Sequence, residues 1–363
     1  MIFKTLPLAA FAFQFMNLGI AVPNQSVAIP VKNFKNYELS KRTDNENQEN
    51  LRVDIDMIKG HNGYYVELGV GSPQQNLRFQ IDTESYIQLI TSDNCDSCFH
   101  DPENRRMFTG IDTESYTDSD FFKFNGFGIS FGGYLPTEPL CLKKGTSEDI
   151  EFAALNTTSK TIESVVGYDG VIGIGYPMRY AFQENINFRN FFIEKFLKND
   201  RIISINLKPG VEKISLGYQN KEKTSKRTIW VNQIEGNTFK FSTPNVKIGV
   251  TGFQHTKRVI VNPLYQKIYL QRDQVSIIDS YITNSQNCMN INTLPTITFT
   301  LVGRDLTLEP KDYISFNNGV CESSIEEIDS SKFGRNLIIL GQNFLKKYVV
   351  TFDYDYGKIG FTE

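Results

Sequence analysis

One acidic residue, Asp82, stands at the end of an apolar stretch in the segment "LRFQIDTES". A carboxylate in this position can do acid–base chemistry if a second carboxylate faces it, because one group then acts as the base while the other holds a proton. The six residues IDTESY occur again at 111–116 and place a second acid at Asp112. The chemistry of the chain therefore depends on which residue faces Asp82.

The two copies of IDTESY differ in their surroundings. Asp82 follows a run of branched and aromatic residues that is typical of a buried strand. Asp112 follows "RRMFTG" and precedes the polar segment "YTDSDFF". We therefore take Asp82 as the candidate site residue and interpret the copy at Asp112 as a coincidence without chemistry.

Five cysteines are a second candidate for chemistry. The motif "CDSCFH" does not predict a zinc site, because the three histidines of the chain lack a paired spacing. The sequence instead predicts a Cys95–Cys98 disulfide, with Cys288 and Cys321 as the natural second pair and Cys141 as a buried thiol. No metal and no cofactor is expected.

Length and composition restrict the class of protein. The chain has 363 residues, of which 40% are hydrophobic, so it can bury a large core in two domains or lobes. Its net charge of −3 is spread over interspersed acids and bases. Nucleic-acid binding is excluded, because that function requires a basic face.

The N-terminal segment has the pattern of a secretory signal peptide over residues 1–21. Lys4 precedes an apolar run, and Gly19 and Ala21 give a small-x-small cleavage pattern. A membrane anchor or a buried helix is the alternative, which Pro7 and polar residues in the run disfavour. We expect a secreted protein, in the extracellular space or the endolysosomal lumen, with no membrane span after signal removal.

Residues 22–52 are polar and predict a pro-segment or, alternatively, a disordered N-terminus. The triplet Asn156-Thr157-Thr158 is a glycosylation sequon well inside the chain, and Asn24 begins another close to the cleavage point. Asn156 is therefore a candidate glycosylation site.

From Tyr64 onward, short runs rich in aromatic and branched residues predict a mainly β fold. Apolar spacing predicts two minor helices, one over 187–200 and one that starts at Pro263 and continues to about residue 282. Each half also carries a strand that ends in a polar residue and, much later, an apolar pair followed by glycine. These elements end at Asp82 and Gly173 in the first half and at Asn262 and Gly341 in the second. They indicate a duplicated β lobe, although chance in a β-rich chain is an alternative.

Four segments together resemble the pepsin-like aspartic proteases of peptidase family A1. They are "GYYVELGVGSPQQNLRFQIDTES", "YDGVIGIGYP", "LPTITFTLVGRDLTLEPKDYI" and "LIILGQNFLKKYVVTFDYDYGKIGF", in the order of that family. The resemblance implies a mainly β, bilobal acid-protease fold with a central cleft and a flap hairpin. It places the N-terminal lobe with the flap at 53–222 and the C-terminal lobe at 223–363.

The family places one Asp-Thr-Gly loop in each lobe, and the two aspartates share a proton and activate a water. In the first loop of this chain, Asp82 and Thr83 match that pattern and Ser85 keeps the usual serine. Glu84 replaces the glycine, which puts bulk where the family leaves space. The resemblance thus implies that Asp82 is the first catalytic position.

The second loop departs from the family at every residue of the motif. Asn262 stands in place of the aspartate and cannot ionise. Pro263 replaces the threonine and lacks both a hydroxyl and a backbone N–H, and Leu264 replaces the glycine. Phe131, beside Gly132, stands where the family has its flap tyrosine. These changes predict that proteolysis is lost.

Two other acidic residues are disfavoured as replacements for the missing second aspartate. Asp279 lies too close to Cys288 to leave room for the elements that the family places between them. Glu84 neighbours Asp82 in the sequence, and adjacent side chains at a strand end diverge.

We therefore predict a secreted, monomeric aspartic-protease homologue that is inactive and binds a peptide or protein ligand in its cleft. One alternative is a residual acid endopeptidase that uses Asp82 with a nonstandard partner. The other is a structural secreted protein whose cleft is filled.

Overall fold

The computed structural model describes a mainly β protein. The residues that it describes are 51–95, 97–98, 106–110, 121–126, 129–143, 145–158, 168–175, 191–220, 227–234, 239–254, 257–284, 291–317, 320–330 and 336–363. The predicted signal peptide, Asn24, Asp112 and Cys288 lie outside these residues. So do nearly all of the predicted pro-segment and the side chain of Cys321, so the second disulfide stays a prediction.

Short strands and one short helix are found among the described residues before residue 222. They are β1 (Val53–Asp56), β2 (Ile58–Gly60), β3 (Gly63–Val70), β4 (Gln75–Asp82), β5 (Gln88–Thr91), β6 (Phe121–Gly126), β7 (Ile129–Tyr134), β8 (Thr137–Lys143), β9 (Thr146–Thr158), β10 (Gly170–Gly173), α1 (Phe192–Phe196), β11 (Ile202–Asn206) and β12 (Lys213–Leu216).

The later part contains further strands and three more α-helices. They are β13 (Ile229–Asn232), β14 (Phe241–Thr243), β15 (Asn245–Ile248), β16 (Thr251–Phe253), β17 (Lys257–Val261), β18 (Ile268–Leu270), α2 (Arg272–Asn284), β19 (Ile297–Leu301), β20 (Arg304–Leu308), α3 (Pro310–Tyr313), β21 (Ile314–Asn317), β22 (Val320–Ser323), β23 (Ile325–Glu327), β24 (Leu337–Leu340), α4 (Gln342–Leu345), β25 (Val349–Asp353) and β26 (Lys358–Thr362).

The sheet of the first half closes on itself. Its nine strands follow the order β2-β3-β4-β10-β5-β9-β7-β6, and β8 pairs with both β3 and β9. A closed sheet has no free edge along its ring of strands. Strands β6 and β7 extend from this barrel as an antiparallel hairpin, which we call the flap hairpin.

The same three-strand arrangement occurs in both halves. Strand β10 lies between β4, to which it is parallel, and β5, to which it is antiparallel. Strand β24 lies in the same way between β17 and β18. The paired sequence elements that end at Asp82, Gly173, Asn262 and Gly341 thus belong to two equivalent arrangements, as expected for a duplicated lobe.

A six-stranded sheet joins the two halves. Its order is β1-β12-β11-β25-β26-β13, in which the first three strands come from the first half and the last three from the second. Strand β11 pairs with β25 across this junction, with Ile203 opposite Phe352, and both side chains are fully buried. The backbone ladder and the core therefore hold the halves in a fixed relation.

The helix predicted to start at Pro263 is wrong in its first part. Residues 268–270 form strand β18, and the helix begins only at Arg272. Ile268 and Leu270 show no exposed surface, and β18 pairs with strands on both sides. Helical spacing alone could not exclude a short strand that is covered on both faces.

Two smaller predictions also change. The helix predicted over 187–200 is described only from residue 191 and forms the five-residue α1, which buries Phe192 and Phe196. Cys141, on β8, is a free thiol and is half-buried rather than buried. Its Sγ donates to the Lys143 carbonyl. The Cys95–Cys98 disulfide is present.

Within the described ranges, no helix has both the length and the apolar character needed to cross a bilayer.

Two glycines permit the close approach of β10 and β24 to the loops beside them. A Cβ at Gly173 would lie 2.5 Å from the Ile87 carbonyl oxygen, and one at Gly341 would lie 2.2 Å from that of Lys267. Both distances are far below van der Waals contact with backbone atoms. These glycines explain why an apolar pair followed by glycine occurs in each half.

We predict that Gly173→Ala and Gly341→Ala each lower the free energy of unfolding by about 3 kcal/mol, because the new methyl group forces the backbone apart. Gly252→Ala is the matched control, since the nearest atom to its Cβ is 3.7 Å away. The control should stay within about 1 kcal/mol of the wild type. Urea titration of the three variants measures this, and equal losses in all three would contradict the prediction.

Candidate active site

The loop after β4 is held by the residues that follow β10. Gly173 pairs with Asp82 in the parallel ladder, and the Ile174 N–H donates to the Asp82 carbonyl at 2.7 Å. The Gly175 N–H donates to the Ser85 carbonyl at 2.6 Å. Since every one of these partners is backbone, the position of Asp82 follows from the strand order itself.

The loop after β17 is held by the same kind of contacts. The Asn262 N–H donates to the Leu340 carbonyl at 3.1 Å, and the Gln342 N–H donates to the Tyr265 carbonyl at 2.7 Å. The two loops are thus equivalent in structure, although their sequences read Asp-Thr-Glu-Ser in one and Asn-Pro-Leu-Tyr in the other.

The loops bring Asp82 and Asn262 into direct contact. The Glu84 N–H donates to Asp82 Oδ1 at 2.9 Å, and the Leu264 N–H donates in the same way to Asn262 Oδ1 at 3.0 Å. Asn262 Nδ2 then donates to Asp82 Oδ1 at 2.6 Å, and neither residue exposes any surface. The pair is a carboxyl group that faces an amide.

Only one of the two cross-braces expected from the family is made. Thr83 Oγ1 donates to the Val261 carbonyl at 2.6 Å and so ties the first loop to the strand before the second. Pro263 has no hydroxyl group that could donate the equivalent hydrogen bond from the second loop. Its carbonyl accepts from Gln342 Nε2 at 2.7 Å instead, and the Gln342 amide lies beside the backbone of Gly63 in the first half.

The bulky residues of the two loops are buried. Leu264 and Tyr265 belong to an apolar cluster with Ile260, Tyr269 and Ile339. Glu84 is 1% exposed. The side chains that replace the family's glycines are therefore packed inside the protein.

Burial governs the electrostatics of the site. It raises the pKa of Asp82 from 3.8 to about 6, although the Glu84 backbone N–H, the Asn262 amide and the Ser85 backbone N–H favour the charged form. Asp82 Oδ2 has no hydrogen-bond partner among the described residues. Burial also raises the pKa of the Tyr265 hydroxyl well above its usual value, and the nearby Asp82, Tyr269 and Glu84 groups add to that rise. Tyr265 therefore stays neutral and does not act as a base.

The remaining predicted residues lie elsewhere in the fold. Phe131 is buried and Gly132 follows it on β7, where Phe131 pairs with Phe124 across the flap hairpin. Asp279 is an exposed residue of α2, well along the helix that follows β18, so the structure gives it no place in the two loops. Asn156 lies near the end of β9 and is half-buried.

Sequence reasoning missed Tyr265, which belongs to the second loop, and Gln342, which bonds to that loop. Their signal was available, because Gln342 directly follows Gly341 and Tyr265 occupies the position equivalent to Ser85. The pattern alone did not show that Gln342 would turn its amide toward Pro263.

Asp82 can hold one proton, but its partner Asn262 is not a carboxyl group and cannot share that proton. The amide of Asn262 donates a hydrogen bond and does not accept a proton at ordinary pH. Within the described residues, no group of three or more histidine, cysteine or acidic side chains is suited to a metal ion. The two loops thus place the carboxyl group of Asp82 against a fixed amide partner, Asn262.

We predict that Asp82→Asn flattens the pH dependence of stability. Because the folded pKa is raised to about 6, protonated Asp82 stabilises the fold below about pH 4, and this contribution is lost as pH rises through 6. The loss amounts to about 2 kcal/mol between pH 4 and pH 7. Urea titrations at both pH values measure it.

Asp279→Asn is the matched control, since it neutralises an exposed aspartate and should leave the wild-type difference between the two pH values unchanged. An Asp82→Asn variant that keeps the full wild-type difference would show that Asp82 is not the group responsible.

Comparison with known proteins agrees with this geometry. The chain matches the family described as "Eukaryotic aspartyl protease" over residues 63–363. It is similar to pepsin A of Bos taurus, with 24% identity over 313 residues that cover 82% of this chain and 83% of the relative. Renin of Ovis aries is 22% identical over 322 residues, covering 82% of this chain and 79% of the relative. Gastricsin of Callithrix jacchus is 26% identical over 318 residues, covering 82% and 80%. With this match and with two equivalent loops that meet at Asp82 and Asn262, the chain belongs to the eukaryotic aspartyl protease family.

Proposed function

We propose that this protein is a secreted pseudoprotease, which keeps the aspartyl protease fold, does not cleave peptide bonds and binds a peptide or protein ligand in its cleft. One observation carries the proposal. Asn262 occupies the position that faces Asp82 and holds the Asp82 carboxyl group through its side-chain amide at 2.6 Å.

The chemistry of the family requires two carboxyl groups whose pKa values are pushed apart, so that one is ionised while the other holds a proton. Here the two donors that reach Asp82 Oδ1 are the Asn262 amide and the Glu84 backbone N–H, and neither takes up a proton. Loss of one member of a catalytic unit costs on the order of 10⁴-fold or more in rate. The pair is therefore expected to be inert toward peptide bonds.

The residue after Asn262 also hinders deamidation, the reaction that would convert Asn262 to an aspartate and give a pair of carboxyl groups. Deamidation of asparagine in proteins usually proceeds when the backbone nitrogen of the next residue attacks the side-chain amide. Pro263 has no N–H and cannot form that intermediate. Asn262 is thus protected from spontaneous conversion to aspartate, and the site stays a carboxyl–amide pair through the life of the protein.

Retention of the fold supports a binding function. The two loops are ordered, the bond from Thr83 to Val261 is kept, and the flap hairpin is formed. An extended peptide binds to such a framework through main-chain hydrogen bonds and alternating side-chain pockets. Those interactions do not need the second carboxyl group.

Two other functions have an observation in their favour. The raised pKa and the unpartnered Oδ2 of Asp82 suit a residual acid endopeptidase that uses Asp82 with a nonstandard partner. The complete burial of Asp82, together with the burial of Glu84 and Leu264, suits a structural secreted protein whose cleft is filled.

We expect the purified protein to leave denatured casein uncleaved between pH 3 and pH 6, as measured by release of acid-soluble peptides. The positive comparison is the quadruple variant Glu84→Gly, Asn262→Asp, Pro263→Thr, Leu264→Gly, which rebuilds both loops and should gain turnover. Wild-type turnover that disappears in Asp82→Ala would overturn the proposal in favour of the residual enzyme.

Calorimetry with denatured casein separates the binding protein from the filled-cleft protein. Under the binding proposal, heat of binding is measured for the wild type and is kept in Asp82→Ala, because the ligand is held by backbone contacts. Absence of binding at every pH tested would favour the structural protein.

A further inference from the structure

We propose that Asn156 carries an N-linked oligosaccharide, attached at a β-bulge beside the flap hairpin. The sequence offers the sequon Asn156-Thr157-Thr158. The structure adds that the residues of this sequon pair directly with the flap strand β7, that the asparagine is the bulged residue, and that a disulfide-bonded loop holds the end of the sequon in place.

The bulge is read from the pairing of β7 with β9. Gly132 faces Thr157, whereas Gly133 faces Leu155, and the register shifts between the two glycines. Asn156 is therefore the extra residue of β9 and has no partner across the ladder. A bulged residue turns its side chain away from the regular pleat, and bulges of this kind are built features of sheets rather than defects.

Gly133 fixes the bulge in place. A Cβ at this position would lie 1.9 Å from the Ala154 carbonyl oxygen, so the two backbones approach more closely than any other residue type would allow. Gly133 lies opposite Leu155 and Gly132 lies opposite Thr157, so Asn156 is the residue of β9 that is left between them.

Burial changes abruptly at the same residue. Phe152, Ala153, Ala154 and Leu155 are all buried. Asn156 and Thr158 are partly exposed, and Thr157 is exposed. The strand thus leaves the core where the sequon begins, and a glycan at Asn156 would start from a partly exposed residue.

The disulfide holds the other end of the sequon. The Thr158 N–H donates to Ser97 Oγ at 3.0 Å, and Ser97 lies inside the loop closed by Cys95 and Cys98. Disulfides form in the oxidising secretory compartment, which is also where asparagine is glycosylated. One compartment therefore supplies both modifications.

The transfer step balances without a redox partner. A bond forms between Asn156 Nδ2 and the anomeric carbon of a lipid-linked oligosaccharide, and the bond between that carbon and the lipid diphosphate breaks. Nδ2 loses one proton to a basic group of the transferase. The glycan then stands next to the strand on which Phe131 pairs with Thr158, so it lies against the flap hairpin and restricts its movement.

The first experiment measures the mass of the full chain secreted from eukaryotic cells behind a host secretion signal. All variants carry Asn24→Gln to remove the other sequon. We expect a mass shift of one N-glycan that peptide N-glycosidase removes. Thr158→Ser keeps the sequon and should keep the shift, whereas Thr158→Ala and Asn156→Gln should lose it.

Secreted protein with the mass of the bare polypeptide would overturn the proposal. A shift that persists in both Thr158→Ala and Asn156→Gln would also overturn it, because the modification would then lie elsewhere.

The second experiment compares amide hydrogen exchange in residues 129–134 between Thr158→Ser, which is glycosylated, and Thr158→Ala, which is not. Slower exchange in the glycosylated protein is expected if the glycan restricts the flap hairpin. Equal exchange would overturn that part of the proposal while the mass measurement decides the attachment site independently.

Discussion

The hydrogen bond from the Asn262 amide to the Asp82 carboxyl group determines the properties of this protein more than any other contact. It joins the two equivalent loops through residues that are both fully buried. A hydrogen bond to a charged group contributes about 1.5–3 kcal/mol, whereas two aspartates at this distance would repel each other unless they shared a proton. Replacing one acid by an amide removes that conflict, and it removes the acid–base division on which catalysis depends. The amide thus gives Asp82 a hydrogen-bond donor where a second aspartate would give it a like-charged neighbour.

The rest of the fold serves to bring these two residues together. Each lies at the end of a strand that runs parallel to a neighbour ending in glycine, and the six-stranded sheet fixes one half against the other. The loops are held through backbone atoms, so they keep their shape although Glu84, Pro263 and Leu264 have replaced the usual residues. The family fold is therefore retained although these loop residues differ from the family pattern. The side chains that hydrolysis requires are separate from the backbone contacts that position them.

The flap side of the molecule shows a second use of backbone geometry. The bulge at Asn156, the close approach at Gly133 and the disulfide loop at Ser97 meet on one strand that pairs with the flap hairpin. A modification at this point affects the element that covers the cleft in the family.

Local pattern and ordered motifs were enough to predict the mainly β class, the duplicated elements, the Cys95–Cys98 disulfide and the asparagine at position 262. The sequence by itself did not determine that residues 268–270 form a strand, since helical spacing and a doubly covered strand place apolar residues alike. It also could not show the Gln342 amide on the Pro263 carbonyl or the bulge at Asn156. Those features depend on the approach of segments that are distant in the chain, and only the tertiary structure decides which of their polar groups come within hydrogen-bonding distance.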